Sequence, residues 1–389
     1  MATTIEVKRY YLYNFIINAV NIGSGHFMMV YFYLHGFSVM AILSAILTYG
    51  LTCLIILKPV GMLIEKIGPQ RTFRWHALSE ALKYFSLLAI FIIPTHQFLF
   101  FILLQWFNGF NVMFNRIPLT AYFSVYGDND HRGSQIGLTN TIQIVASVIA
   151  PVIAGVLIEQ TGLILITTLT TLTSIGAIFI LRFDGRVSIT NPVRFKTLIS
   201  NVPPAFTKAF FFGKLVYPYA ADLLSIYIAI VLQSFTVLGI FVGLRTAVAV
   251  TLNYLVGRAT DRQNIRSFFV WCTLSGSAFW FIIPFIHHAP AMFILQFTLG
   301  LLGIVTAIPF ESTYHNRAKR SGNSLQFALW REVATQTGLV VGVLVIMGVL
   351  QLGLVAHWQS LLPIGALSML AMLFVVPHIP ARRSSGHVA

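Results

Sequence analysis

Long apolar runs alternate with short polar connections along the whole chain, and the runs have the length of membrane helices. The first extends from Tyr10 to about Tyr33. One crossing of the hydrocarbon core takes about 20 apolar residues. The 389 residues divided among twelve crossings leave about 32 each, so the connections must be short. No small-residue cleavage site follows the first run, which is therefore expected to be a retained helix. The longest polar interruption, Arg182 to about Ala205, contains Asn191, Pro192, Pro203 and Pro204. It divides the chain into an N-terminal six-helix bundle (residues 1–182), a central loop (183–205) and a C-terminal six-helix bundle (206–389).

The positive charges give the runs an orientation. Outside the apolar runs, Lys and Arg occur only on every second connection. Lys8 and Arg9 precede the first run; Lys58, Lys66, Arg71 and Arg74 follow the second; Arg132 follows the fourth. Arg182, Arg186, Arg194, Lys196 and Lys208 follow the sixth, and Arg258, Arg262 and Arg266 the eighth. Arg317, Lys319 and Arg320 follow the tenth, and Arg382 and Arg383 the last. The turns near Leu34–Phe37, Pro94–Gln97, Glu159–Gly162, Gln233–Thr236, His287–Pro290 and Leu352–Trp358 carry neither residue. Lys and Arg are retained on the cytoplasmic side during insertion. This predicts twelve crossings, both termini cytoplasmic, in a plasma membrane of the bacterial inner-membrane kind.

Composition excludes an ordinary soluble domain, with 57% hydrophobic residues, 9% charged residues and mean hydropathy +0.81. The net charge of +14 is one-sided and suits an anionic leaflet rather than nucleic acid. Cys53 and Cys272 lie inside apolar runs and are expected to be packing residues. No metal, cofactor, catalytic or nucleotide-hydrolysis motif is expected, so the chain is not read as an enzyme.

The two halves repeat. Leu104-Gln105 and Gly109 recur as Leu295-Gln296 and Gly300, and Ile117-Pro118 as Ile308-Pro309, each 191 residues on. The loop Gly61-x-x-x-Glu65-Lys66-x-Gly68-x-x-Arg71 recurs 196 residues on as Gly257-x-x-x-Asp261-Arg262, with Arg266 closing it. A duplicated six-helix unit with substrate held between its halves is a transporter design.

These loops resemble the signature loop of the major facilitator superfamily, with Glu65 in place of its usual Asp and Asn264 in place of the second glycine of the repeat. The resemblance implies an all-α integral membrane fold of twelve helices in two pseudo-symmetric bundles. It further implies that Glu65 and Asp261, with Lys66, Gly68, Arg71, Arg262 and Arg266, gate the cytoplasmic mouth. Gly61 and Gly257 would let two helix ends approach closely. Topology marking by the same charges remains the alternative. In the fifth run Gly137, Ala146, Ala150-Pro151 and Ala154-Gly155 follow the spacing of the drug exporters' antiporter motif, with Ala at three glycine positions. Small residues at such intervals also make a smooth packing face. The membrane Arg usual in the exporters' fourth helix is missing; Gln105-Trp-Phe-Asn108-Gly109 stands there.

A charge inside a crossing costs about 2.5–3.5 kcal/mol on insertion scales and therefore faces a partner or an aqueous cavity. Arg116, Lys214, Glu311, Arg331 and Glu332 fall toward the cytoplasmic half and are assigned as gate or cavity charges. His26, Asp222 and Arg245 fall nearer the middle or outer half and are assigned as a substrate or proton site. His26 and Asp222 stand 196 residues apart, at equivalent places in the two halves. Glu80 and Lys83 are expected to form a local ion pair. Tyr11, Tyr13, Tyr217 and Tyr219 are candidates for cavity lining. The expected function is secondary transport of a small solute, with ions or protons as coupling partner, the lipid bilayer as surroundings and a monomer as the unit. The core cations favour an anionic organic solute. Efflux of small drug-like compounds by antiport, and a non-transporting receptor of the same fold, are the competing readings.

Overall fold

The computed structural model describes residues 12–13, 15–17, 19, 25, 27–126, 132–180, 204–216, 222–262, 265–320, 324–355 and 357–378. Among them there is no strand. Helix α1 contributes helical residues between 12 and 34. It is followed by α2 (Val39–Ile67), α3 (Pro69–Ile92), α4 (Gln97–Tyr126), α5 (Arg132–Thr161) and α6 (Leu163–Ile180). Helix α7 is described in two stretches, α7a (Pro204–Leu215) and α7b (Leu224–Leu232). Then come α8 (Phe235–Arg262), α9 (Ile265–Trp280), α10 (Ala289–Arg320) and α11 (Ser324–Gln351). The chain closes with α12 (Trp358–His378), wound largely as 3-10 helix. Among the described residues six helices are long and apolar enough to cross a membrane, and three more apolar stretches, Ser147–Thr161, Leu163–Phe179 and Phe235–Val248, are shorter. The turns at Gly36, Gly162, Gln233–Ser234 and Gly353 fall where the uncharged connections were expected. The central loop, its domain boundaries and both termini lie outside the described residues.

Local chemistry explains how polar residues sit in these helices. In α6, Thr167, Thr168, Thr171 and Thr173 each donate to the carbonyl four residues back, at 2.7–2.9 Å. A hydroxyl satisfied by its own helix adds no unmet polar group to an apolar environment. Ser38 caps α2 by accepting from the Ala41 amide at 3.1 Å. The signature loop shrinks to a single residue between α2 and α3. Gly68 takes φ 83°, ψ 160° and donates its amide to the Ile64 carbonyl at 2.9 Å. That conformation is open essentially to glycine alone, which accounts for this glycine of the motif.

Helix packing obeys a two-fold rule. Helix α3 packs on α4 and α6, and α2 on α4; six places on, α9 packs on α10 and α12, and α8 on α10. The halves meet where α5 lies on α8 and α2 on α11, again related by six, with α4 against α11 as well. Two clusters of buried side chains span this interface. One, near the uncharged end, joins Phe27, Ile42, Ile158, Ile226, Leu238 and Val343. The other, toward the basic end, joins Ile56, Val60, Ile117, Phe210, Tyr314 and Trp330. Burial of apolar surface thus ties the bundles together along their length.

Glycine sets the closest approaches. A Cβ on Gly155 would stand 2.4 Å from the Phe235 carbonyl oxygen, and one on Gly239 would stand 2.3 Å from that of Pro151. Ala154 beside them is 1% exposed. The small residues expected to form a packing face in the fifth run therefore pack, at Pro151, Ala154 and Gly155, against the other half. The side chains of Gly137 and Ala146 lie outside the described residues. Cys53 and Cys272 are buried free thiols, as expected of packing residues.

Candidate functional site

Charged side chains gather where α4, α7a and α11 meet. Arg116 on α4 reaches Glu332 on α11 at 3.7 Å, which makes an ion pair between the two halves. The Arg116 side chain is 47% exposed and that of Glu332 only 5%. Glu332 also accepts a hydrogen bond from Gln336 Nε2, one helical turn on, at 3.1 Å. Removing Arg116 would therefore take from a buried carboxylate the cation that the other half supplies.

Lys214, in the last turn of α7a, stands within electrostatic reach of Arg116, Glu332, Asp222 and Arg331. Asp222 lies just ahead of α7b. Arg331 is held differently. Its guanidinium carbon sits 5.2 Å from the ring centre of Phe210 and 5.1 Å from that of Tyr314. The two rings, 5.2 Å apart and edge to face, together give the cation an aromatic neighbourhood that stabilises it. Three cations and two carboxyls from α4, α7 and α11 thus share one region, and its charges come from both halves.

Asp222 was expected beside His26 and Arg245, apart from the charges toward the basic end. The structure links Asp222 to Lys214, and through Lys214 to the other charges. Arg245 on α8 lays its Cγ 3.1 Å from where a Cβ of Gly300 on α10 would be. Gly300, one of the repeat's markers, therefore makes room for the Arg245 stem. His26 and the side chains of Glu311, Gly257, Asp261 and Arg262 lie outside the described residues. Gly61 is buried in α2, Glu65 and Arg71 are half-buried, and Lys66 and Arg266 are exposed.

Tyr13 is a correction. Instead of lining a cavity it is 1% exposed, and its hydroxyl is hydrogen-bonded to His76 Nδ1 on α3. The reason is that α3 is more polar inside than a peripheral helix needs to be. His76, Glu80 and Lys83 share one face and are all buried. Lys83 donates to Glu80 at 2.9 Å, as the spacing of three predicts. Asn111 of α4 donates to the His76 carbonyl at 3.4 Å. These polar groups hold α1, α3 and α4 in register within one half. Tyr11, Tyr217 and Tyr219 lie outside the described residues.

Sequence reasoning passed over His76 and Gln336, and it used Gln105 and Gln296 only as evidence of duplication. Both of the latter are 2% exposed, and each has an Nε2 without a hydrogen-bond partner among the described residues. An amide buried at the same place in each half was a signal available in the repeat itself.

A duplicated bundle of twelve helices, with sparse charges shared between its halves at depth, defines a membrane transport protein. The sequence model of the Major Facilitator Superfamily matches residues 11–325, and the chain belongs to that family. It is an integral multi-pass membrane transporter, not an enzyme. No curated protein sequence matches it individually. Among solved structures it is similar to a bacterial homologue of the iron transporter ferroportin in the inward-facing state. There the identity is 15%, the TM-score 0.66 and the coverage 97% of this chain and 98% of that one. The outward-facing state of a bacterial ferroportin homologue matches with 13% identity, TM-score 0.66 and the same coverage. A POT family transporter in complex with 5-aminolevulinic acid matches at 12% identity and TM-score 0.71, covering 96% of each chain. At such identities the likeness is one of fold. Among the described residues no three His, Cys, Asp or Glu side chains come together as metal ligands.

Proposed function

We propose that the chain is a secondary transporter that moves a small anionic organic solute by alternating access, driven by a proton or ion gradient. The observation that carries this reading is the set of charges shared by the halves, in which Arg116, Lys214 and Arg331 stand with Asp222 and Glu332. Guanidinium and ammonium groups at depth are suited to a carboxylate or phosphate. The two carboxyls balance the cations when the site is empty and are suited to carrying the coupling proton. Residues 1–182 and 206–389 are the two moving bundles, joined by the loop 183–205. The signature loops at Glu65 and Asp261 favour the form closed at the basic end, because contacts made in only one arrangement shift the balance toward it.

The test is uptake of labelled monocarboxylates, dicarboxylates, organophosphates and zwitterions into proteoliposomes under an imposed proton gradient. The 5-aminolevulinic acid bound by the POT family transporter belongs in the panel, since it carries both a carboxylate and an amine. Accumulation of an anionic solute, reduced at least tenfold by Lys214→Met, is the expected result. Movement of only cationic or neutral drug-like compounds, outward and in exchange for protons, would favour the antiporter reading.

Orientation has its own test. We propose that the basic end is cytoplasmic, as the Lys and Arg distribution requires. In a background lacking Cys53 and Cys272, cysteines placed at Gln97 and at Ser200 should react with an impermeant maleimide from opposite faces, Gln97 from outside. Labelling of both from outside defeats the topology.

A further inference from the structure

The uncharged end is not wholly without charge. Across all six connections at that end the sequence places one Lys, Arg, Asp or Glu, and it is Glu159. It stands exposed in the last turn of α5, in the N-terminal half. Its carboxylate Oε2 accepts from the Ser234 hydroxyl at 2.9 Å and from the Thr236 amide at 2.7 Å. Both donors belong to the start of α8 in the other half. Ser234 itself accepts from the Val237 amide at 3.2 Å, in the manner of an ordinary N-cap. Glu159 therefore adds a second cap, supplied from across the interface, to an amide that no carbonyl of α8 can satisfy. The positive end of the α8 dipole adds to the attraction.

The surroundings show which arrangement this contact needs. Gly155 and Gly239 bring the α5 and α8 backbones together one turn below it. The Phe235 ring packs 6.2 Å from Phe27 and 6.2 Å from Tyr31 of α1. Tyr33 meets Trp358 of α12 at 6.1 Å. The halves are thus sealed together at this end by rings and close backbone, with Glu159 at the rim.

We propose that Glu159 is the latch of the gate at the uncharged end, holding that mouth shut by capping helix α8 of the opposite half. The proposal rests on the alternating-access reading above. Parting of α5 from α8 breaks both hydrogen bonds at once, so the latch acts in the closed arrangement and in no other. Glu159 and the Thr236 amide then turn to water. The latch therefore biases the gate and does not lock it.

Ile158, the neighbour of Glu159, is 3% exposed and faces the sealed core. In a background of Cys53→Ala and Cys272→Ala, Ile158→Cys gives a thiol that reacts with an impermeant maleimide only when the mouth opens. Glu159→Ala should raise the labelling rate in vesicles about fivefold, the scale of one charge-assisted contact at an exposed place. Two controls separate the latch from general loosening. Gln160→Ala, on the same turn, should leave the rate at Ile158→Cys unchanged, and Ala177→Cys on α6, 1% exposed, should stay unreactive with Glu159→Ala present. Equal labelling with and without Glu159→Ala overturns the proposal, as does an equal rise with Gln160→Ala or at position 177. Failure of the transport reading would appear separately, as absence of solute flux in the protein with Glu159 intact.

Discussion

Gly239→Ala is expected to leave a folded protein that has lost nearly all transport, whereas Gly342→Ala is expected to reduce the yield of folded protein itself. Both glycines sit under a backbone carbonyl. A Cβ at 239 would stand 2.3 Å from the Pro151 oxygen, and one at 342 would stand 1.7 Å from the Leu215 oxygen. Real contacts of that kind are more than 3 Å, so the helices must move apart in either variant. What differs is the interface. Gly342 lies between α11 and α7a, inside the C-terminal bundle, where the packing is needed in every state of the transport cycle. Overpacking there acts on folding, at about 1–3 kcal/mol or more. Gly239 lies between α8 and α5, across the halves, where contact belongs, under the alternating access proposed above, to the form closed at the uncharged end. Overpacking there acts on the balance between forms, and about 3 kcal/mol moves that balance more than a hundredfold. Thermal unfolding in detergent, followed by solute flux in proteoliposomes, separates the two. Normal flux with Gly239→Ala would mean that the halves do not need this approach. Equal loss of folded protein in both variants would mean that the α5–α8 contact belongs to one rigid body.

The same contrast explains what the sequence made legible. Periodic features survived translation into structure: the apolar runs return as helices, and uncharged connections as turns at Gly36, Gly162, Gln233–Ser234 and Gly353. Each rests on many residues and on the bilayer as solvent, so local detail does not blur it. Gly68 was legible for a different reason, because the motif puts a glycine where the backbone requires one. Side-chain partnerships were less legible. The ion pair of Glu80 with Lys83 follows from one helical turn, but Arg116 and Glu332 are 216 positions apart (332 minus 116) and meet only through the fold. Tyr13 was a candidate for cavity lining, and its partner His76 lies 63 positions on, where no local pattern pairs the two. Glu159 looked like a turn residue. Its use depends on the other half being opposite it, which no local pattern encodes.

Asp222→Asn is expected to abolish gradient-driven accumulation while retaining exchange of solute across the membrane. Asp222 stands just ahead of α7b, in electrostatic reach of Lys214 in the last turn of α7a. A carboxyl inside a membrane helix can exchange a proton as the cavity hydrates, whereas the amide of Asn is uncharged in both arrangements. If Asp222 carries the coupling proton proposed above, its loss leaves binding and the change of arrangement intact, so counterflow should persist at close to the unmodified rate. Accumulation should fall at least tenfold. The partner decides between coupling and mere charge balance. If Asp222 serves only to neutralise Lys214, the double change Asp222→Asn with Lys214→Gln should recover much of the activity lost in either single variant, since no uncompensated charge remains. If Asp222 carries the proton, the double variant stays uncoupled. The partner in this cycle is Lys214 rather than Arg245, because Lys214 is the cation that the fold brings to Asp222. Full accumulation with Asp222→Asn would remove this residue from both roles. Coupling would then rest on Glu332, whose buried carboxylate takes its cation from the other half, and Glu332→Gln would be the variant in which accumulation fails and counterflow persists.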